Sequence, residues 1–348
     1  MGESAGSTRL SGRPTQRDVA RLAGVSQATV SYVLTGRGGL LNDSTQARVR
    51  AALDALGYTP NVLARGLRGV RTALFGAIAR DFRHPSIVAV IDALVRAARV
   101  VGYEMIVSTT EASAPDTLNL AMLMKEQLCD GVALVGDVPD ESVLWDRYGE
   151  IALPAVGVLQ GSRPLPVANV TVDNQAGATL ALEHLLALGH SRIAFIGAGW
   201  IHGSRERRRV VEQFRAAGRL TGSAEFIIDT ENTPEGGAHA LETLWQLPEH
   251  PTALFAATDT VAIGVLARAA ELGISVPQDL SVVGFDNIAH SAFLVPALTT
   301  VAQPFEAIAH QAIGLLVAGA TTGMGTAEPH LIPPTLVTRS STAAAQRN

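Results

Sequence analysis

Cysteine occurs once in the 348 residues, as Cys129, so an intramolecular disulfide and any metal centre built on several thiolates are excluded. Although 47% of the chain is hydrophobic, no tract of 18 uncharged apolar residues exists, and no segment reads as a membrane span. The start, MGESAGSTRLSGRPT, is small and polar and lacks the apolar stretch of a secretory leader, which makes a cytoplasmic location the expectation. An overall positive charge is missing too. The net charge of −5 would argue against a nucleic-acid partner if it were evenly spread. It is uneven: residues 1–71 hold 10 Arg against 4 carboxylates (+6), and residues 72–348 hold 17 Lys and Arg against 28 carboxylates (−11). A basic module on an acidic body follows, and the length requires at least two domains.

Residues 1–13 are expected to form a disordered arm and 339–348 a frayed tail, because neither buries enough apolar surface to offset chain entropy. Three short helices are predicted within 14–60. Thr15 can cap the first, with Asp18 in its first turn and Val19, Leu22 and Ala23 on one face. Gly24-Val25-Ser26 breaks the chain, and Ser26 can cap a second helix, Gln27 to Leu34, whose Val30, Val33 and Leu34 turn inward. Gln27, Ala28, Ser31 and Tyr32 are left outside. Asn42 can cap a third helix carrying Val49, Ala52, Leu53 and Leu56, closed by Gly57. Two helices joined by a tight glycine turn in a small basic terminal module form a helix-turn-helix, whose second helix can enter the major groove of DNA. The alternative is an ordinary helical hairpin.

Beyond residue 72, apolar runs of five to seven residues alternate with amphipathic stretches. Strands are predicted at 73–79, 104–108, 132–135, 155–158, 192–196, 225–228, 253–256 and 281–284. Helices are predicted at 87–101, 117–128, 176–188, 206–217, 236–246, 261–272 and 305–318. Such alternation calls for parallel sheets covered on both faces, and this many strands fit two lobes better than one sheet. Ligands of open α/β sheets bind beyond the carboxyl ends of the strands, so two facing lobes make a cleft. Gly197-Ala198-Gly199 does not complete a dinucleotide fingerprint, since His202 stands where the third glycine is required. His184, His190 and His202 lack an i,i+4 pairing and acidic companions. No metal and no cofactor are implied.

The run DVARLAGVSQATVSYVLT, followed by Leu56-Gly57-Tyr58-Thr59-Pro60-Asn61 and Ala64-Arg65-Gly66-Leu67, resembles the LacI-type family of ligand-responsive transcriptional regulators. The likeness continues through Leu188-Gly189-His190, Ala256-Ala257-Thr258-Asp259, Val283-Gly284-Phe285-Asp286-Asn287 and Leu298-Thr299-Thr300-Val301 with Gln303-Pro304, in order, over roughly residues 15–338. The fold it implies is an N-terminal all-α helix-turn-helix module (14–60), a hinge helix and linker (61–71), and an α/β body of two doubly wound lobes (72–338), periplasmic-binding-protein-like. A homodimer on a pseudo-palindromic double-stranded DNA operator, controlled by a small polar effector, sugar or polyol-like, is the implied function, usually as a repressor.

The DNA-contacting residues carried over are Gln27, Ala28, Thr29, Ser31 and Tyr32 on the second helix and Asn61, Ala64 and Leu67 in the hinge. Leu67 would wedge between base pairs, against the alternative that it packs on the body. Tyr32 stands where the family usually has Arg, leaving base contact and phosphate contact both open. Effector residues map onto Asp81, Ser86, Arg207, Thr258 and Asp286, with loop capping as the other reading of Asp286. The chain departs from the family at Ser86 and Ile87, where an aromatic pair is usual, at Thr258, usually Asn, and at Val210, usually Gly. A small-molecule receptor with an incidental basic terminus is the competing class. An enzyme is not expected, since no nucleophile–base pair, P-loop or acid dyad stands at a recognisable spacing.

Overall fold

The computed structural model describes residues 14–34, 41–58, 72–80, 82–110, 114–126, 129–137, 146–149, 151, 153–199, 201–319 and 327–346. The expected arm, the hinge with Asn61, Ala64 and Leu67, and Asp81 lie outside them. The chain divides into two units, Met1–Val70 and Arg71–Asn348.

The first unit is helical: α1 (Gln16–Ala23), α2 (Gln27–Leu34) and α3 (Asp43–Leu56). Thr15 and Asp18 form a reciprocal capping box, with the Asp18 amide donating to Thr15 Oγ1 at 3.4 Å and the Thr15 amide to Asp18 Oδ2 at 3.0 Å. Gly24, in the left-handed region at φ +63°, closes α1, and Gly57 at φ +58° closes α3. Ser26 Oγ accepts from the Thr29 amide at 3.1 Å and Asn42 Oδ1 from the Thr45 amide at 2.8 Å, so the expected caps are present. Val19, Ala20, Ala23, Val30, Val49 and Ala52 make the core. Leu22, expected inside, is 55% exposed. The buried arc of α1 runs from Val19 through Ala23 to Ala20, and Leu22 falls on its outer flank.

The second unit holds two sheets of six strands. The first takes β1 (Leu74–Ala79), β2 (Glu104–Thr109), β3 (Gly131–Val135), β4 (Ala155–Val158), β5 (Ala168–Val172) and β11 (His330–Ile332) in the order β11-β5-β4-β3-β1-β2, all pairs parallel. The second takes β6 (Ile193–Gly197), β7 (Ile227–Asp229), β8 (Ala253–Ala256), β9 (Ser281–Asp286), β10 (Thr299–Ala302) and β12 (Thr335–Val337) in the order β12-β10-β9-β8-β6-β7, with only the β10–β12 pair antiparallel. The connecting helices are α4 (Pro85–Val100), α5 (Ala114–Glu126), α6 (Asn174–Ala187), α7 (His202–Ala216), α8 (Pro234–Trp245), α9 (Asp259–Glu271) and α10 (Phe305–Val317). Helix α4 packs on α10, α6 on α7, and α8 on α9. The chain passes between lobes at 172–174, 302–305 and 332–335. Strand β1 lies between β2 and β3, and β6 between β7 and β8, so each sheet changes winding direction there. The crevices that form beyond the carboxyl ends of such strands face each other across the two lobes.

The architecture is the expected one, with local corrections. The strand predicted at 225–228 is a 3₁₀ turn, Ala224–Phe226, followed by β7. Strands β5, β10, β11 and β12 were not foreseen. The first two bury Asn169, Thr171, Thr299 and Thr300, and their polar lettering hides them from a search for apolar runs. The other two are three residues long.

The tail expected to fray is packed instead. The Val282 amide donates to Ser341 O at 2.8 Å, and Ser341 Oγ donates to Val282 O at 2.6 Å while accepting from the Thr299 amide at 2.8 Å. His190 Nε2 lies 3.0 Å from Ala343 O, and Arg339 donates to Asn287 Oδ1 and Leu298 O at 2.6 Å each. The segment is short of apolar surface, but its backbone and hydroxyls complete the edge of the second sheet.

Candidate functional site

Two regions carry the candidate residues. On α2, Val30 is buried in the helical core while Gln27, Ala28 and Tyr32 are exposed and Thr29 and Ser31 half-buried. Thr29 Oγ1 sits 2.8 Å from Ser26 Oγ, so this hydroxyl belongs to the helix cap as well as to the outer face. Arg17, Arg21, Arg48 and Arg50 are exposed on the neighbouring helices, and Asp18, the acid nearest to them in α1, is engaged by Thr15 and by Arg21 at 2.6 Å. The three helices thus expose hydrogen-bonding side chains on α2 and four arginines against three carboxylates, the residue types a groove-binding module requires.

The second region is a cleft between the lobes, with an empty volume of about 720 Å³ that includes its solvent mouth. Four of the five residues singled out as effector-binding line it: Ser86, Arg207, Thr258 and Asp286. The first lobe contributes Ser86 and Ile87 from the opening turn of α4, Gly136 and Asp137 after β3, Leu159 after β4 and Val172 at the end of β5. The second contributes Arg207 from α7, Asn232 before α8, Thr258 before α9, Asp286 from β9 and Gln303 after β10.

Arg207 is fully enclosed. Its Nη1 donates to Asn174 Oδ1 at 2.5 Å, its guanidinium stacks over the Phe285 ring at 4.1 Å, and among the described residues its Nε has no hydrogen-bond partner. Burial lowers its pKa, opposed by the charges of Asp286, Glu206 and Asp137. Asp286 is buried with φ +121°, a conformation that costs energy for a residue with a Cβ. Burial first and the nearby Asp259 second push its pKa up to about 7, against the pull of Arg207 and of a 2.6 Å bond from Gln303 Nε2. Gln303 Oε1 is buried without a hydrogen-bond partner.

The loop-capping role considered for Asp286 belongs to Asp259. Its Oδ2 accepts from the Ile288 amide at 3.0 Å and from Ser291 Oγ at 2.5 Å, and its Oδ1 from Thr300 Oγ1 at 2.6 Å. Burial raises the Asp259 pKa to about 6 despite these bonds. Gly284 makes the arrangement possible, because a Cβ there would collide with Asp259 Oδ1. Thr258 caps α9, with the Val261 amide donating to its Oγ1 at 3.2 Å, and the same hydroxyl donates to Asn232 Oδ1 at 2.6 Å. Asp173 caps α6 by accepting from the Ala176 amide at 2.9 Å.

Gln303, Asn232 and Asp137 were not assigned to the site from sequence. Gln303 sits inside a quoted motif and could have been included. Asn232 and Asp137 carry no local signal, since the tertiary fold alone brings them to the crevice. Among the described residues no group of acidic, histidine and cysteine side chains is arranged to hold a metal, and no helix is long and apolar enough to cross a membrane.

Residues 15–61 match the model of the bacterial regulatory proteins of the lacI family, and residues 182–342 that of the periplasmic binding protein-like domain. The chain is 32% identical over 305 residues to catabolite control protein A of Priestia megaterium, covering 86% of this chain and 90% of that one. It is 30% identical over 339 residues to the HTH-type transcriptional repressor PurR of Pectobacterium carotovorum subsp. carotovorum (strain PC1), covering 94% and 97%. Among solved structures, that of the Lac repressor dimer bound to operator and the anti-inducer ONPF matches with a TM-score of 0.85, covering 96% of this chain and 100% of that one. At 24% identity this last likeness bears on the fold alone.

Proposed function

The chain belongs to the lacI family of bacterial regulatory proteins, and we propose that it is a repressor that binds a pseudo-palindromic operator as a homodimer and is controlled by a sugar or polyol-like effector in the cleft between its lobes. On this reading residues 14–60 are the DNA-binding domain, 61–71 the hinge, and 72–338 the effector-binding body, with 339–348 joined to it. Gln27, Ala28, Thr29, Ser31 and Tyr32 meet the operator from α2, and Asn61, Ala64 and Leu67 from the hinge. Asp81, Ser86, Arg207, Thr258 and Asp286 take the effector.

The observation that carries the effector class is the presence of Arg207 and Asp286 on the second-lobe wall of the cleft, near enough for their charges to act on each other. Arg207 offers an unpartnered Nε–H and Gln303 an unpartnered Oε1, while Asp286 accepts from hydroxyls once ionised. The walls opposite are aliphatic, Ile87, Val135, Leu159 and Val172, so the apolar faces of the ligand meet methyl groups rather than stacked rings. A ligand rich in hydroxyls fits such donors and acceptors.

The test combines two measurements on the full chain. A thermal-shift screen against sugars and polyols should find a compound that raises the melting temperature, since a ligand at 100 times its Kd adds about 2.7 kcal/mol of stability. That compound should then change the affinity for DNA selected from a randomised library. Affinity for random DNA should fall steeply with salt, as phosphate binding requires. A flat salt dependence would remove the DNA-binding role. A hit whose affinity is the same in Asp286→Ala would remove the cleft assignment.

A further inference from the structure

The ligand arginine is held by a chain of hydrogen bonds that begins in the opposite lobe. The Ser162 amide, in the first-lobe loop after β4, donates to Glu206 Oε1 at 2.6 Å, and Ser162 Oγ donates to Glu206 Oε2 at 3.0 Å. Glu206 lies on α7 of the second lobe and is buried. Its Oε2 also accepts from Asn174 Nδ2 at 2.8 Å, and Asn174 Oδ1 accepts from Arg207 Nη1 at 2.5 Å. Neighbouring backbone is shaped for this approach: Gly161 has φ +74°, and a Cβ on it would fall 2.7 Å from His202 Cβ and 3.0 Å from Glu206 Oε1. Only glycine lets the loop come this close.

We propose that Glu206 is the positioning residue of the cleft, tying the first-lobe loop to Arg207 through Ser162 and Asn174 so that the guanidinium is set while the lobes are closed. Separation of the lobes breaks both Ser162 bonds, and water must then take their place on the Glu206 carboxylate. The order of donors and acceptors is fixed along the whole chain. Asn174 must turn its amide nitrogen to Glu206 and its oxygen to Arg207, because a carboxylate only accepts and a guanidinium only donates. This inference rests on the reading of the cleft as the effector site.

Replacing Glu206 by Gln puts one N–H pair where an acceptor was. If the new amide nitrogen faces the Ser162 amide, that bond is lost and the Ser162 Oγ bond alone holds the first lobe. If it faces Asn174, that side chain must turn over and present its own nitrogen to Arg207. A merely structural role of Glu206 would not be restored by exchanging the two functional groups. The positioning role would, since in the double variant Glu206→Gln, Asn174→Asp the oxygen of the introduced amide accepts from Ser162, its nitrogen donates to the new carboxylate, and that carboxylate accepts from Arg207.

The experiment uses the ligand-free full chain, with two readouts: hydrogen exchange of the residue 162 amide, and the ¹⁵N-arginine side-chain spectrum, in which the Arg207 Nε–H is assigned by its absence from Arg207→Lys. Stacking on Phe285 gives that signal a ring-current shift. In Glu206→Gln the exchange of amide 162 should rise on the order of tenfold, or the Arg207 signal should leave its shifted position, as the loss of a charge-assisted hydrogen bond requires. The double variant should bring both back toward the parent values. A single variant with both readouts unchanged overturns the proposal, as does a double variant no better than the single. If Glu206→Gln does not fold, folding of the double variant supports the proposal and its failure overturns it. Because no ligand is present, a tie that behaves as expected in a protein whose DNA binding ignores every sugar and polyol would overturn the effector reading and leave the positioning role standing.

Discussion

The two lobes repeat one plan, six strands with a reversal of winding beside β1 and beside β6, yet they bring different chemistry to the space between them. The first lobe offers the aliphatic Ile87, Val135, Leu159 and Val172 beside polar side chains such as Ser86, Asp137 and Thr171. The second offers Arg207, Asp286, Thr258 and Asn232, all buried and most of them hydrogen-bonded. Topology therefore decides where a ligand can bind, and the residues at the strand ends decide what it must be. In the second lobe two helices also approach backbone to backbone at glycines.

The largest effect is expected from glycines inside helices. In α9 a Cβ on Gly264 would overlap Pro234 O, and in α8 a Cβ on Gly237 would overlap Val261 O, so these two helices of the second lobe meet backbone to backbone. In α10 of the first lobe a Cβ on Gly314 meets nothing within 4 Å. Gly264→Ala should therefore cost about 3 kcal/mol or more, because neither backbone can yield without moving a helix. Gly314→Ala should stabilise by roughly 0.5–1 kcal/mol through helix propensity alone. Urea melts of the two variants decide it. Equal effects would mean that α8 and α9 can separate freely, and the contrast in packing would be lost.

The packing contrast also explains what was legible in the sequence. The cap residues Thr15, Ser26 and Asn42 and the glycines that end α1 and α3 were readable because each acts within four residues of itself. Strands β1, β3, β4, β8 and β9 were readable because they are buried on both faces and spell unbroken apolar runs. Strands β5 and β10 were not, because Asn169, Thr171, Thr299 and Thr300 interrupt their apolar lettering, and the partners of Thr299 and Thr300 lie tens of residues away, as when Thr300 donates to Asp259. For the site, Arg207, Thr258 and Asp286 stood in recognisable motifs. Asn232 had no such mark, since its partner His84 comes from elsewhere in the chain.

An intermediate effect should come from two hydroxyls facing the same cleft from opposite sides. Thr258 both caps α9 and donates to Asn232, so Thr258→Ala removes an N-cap and leaves a buried amide oxygen short of its donor. A loss of roughly 1–2 kcal/mol is expected in thermal or urea unfolding. Ser86 lies in the first turn of α4, a helix whose His84 cap makes no side-chain cap bond. Ser86→Ala should stay within about 0.5 kcal/mol of the parent. A loss at Ser86 as large as that at Thr258 would show that the first lobe holds its polar groups as firmly as the second.

The last prediction concerns pH, and it assigns most of the titration of the cleft to one lobe. Burial and Asp259 raise the pKa of Asp286 to about 7, so between its ordinary value of 3.8 and about 7 the folded protein holds a proton there that the unfolded chain has released. The folded state then binds more protons than the unfolded one, and stability must fall as pH rises across that window, levelling off above it. Asp259, raised to about 6, adds to the slope in the lower part of the same range. Asp286→Asn abolishes the titration and keeps an oxygen to accept from Gln303. The variant should match the parent near pH 4 and exceed it at pH 8 by on the order of 1 kcal/mol, read as a higher melting temperature. The opposite result, a variant weaker at pH 8, would mean that the attraction of Arg207 outweighs burial and that the two form a settled ion pair. Asp286 would then be ionised before any ligand arrives, and ligand binding would release no proton from it. Ser86→Ala provides the control from the first lobe, and its pH profile should run parallel to that of the parent throughout.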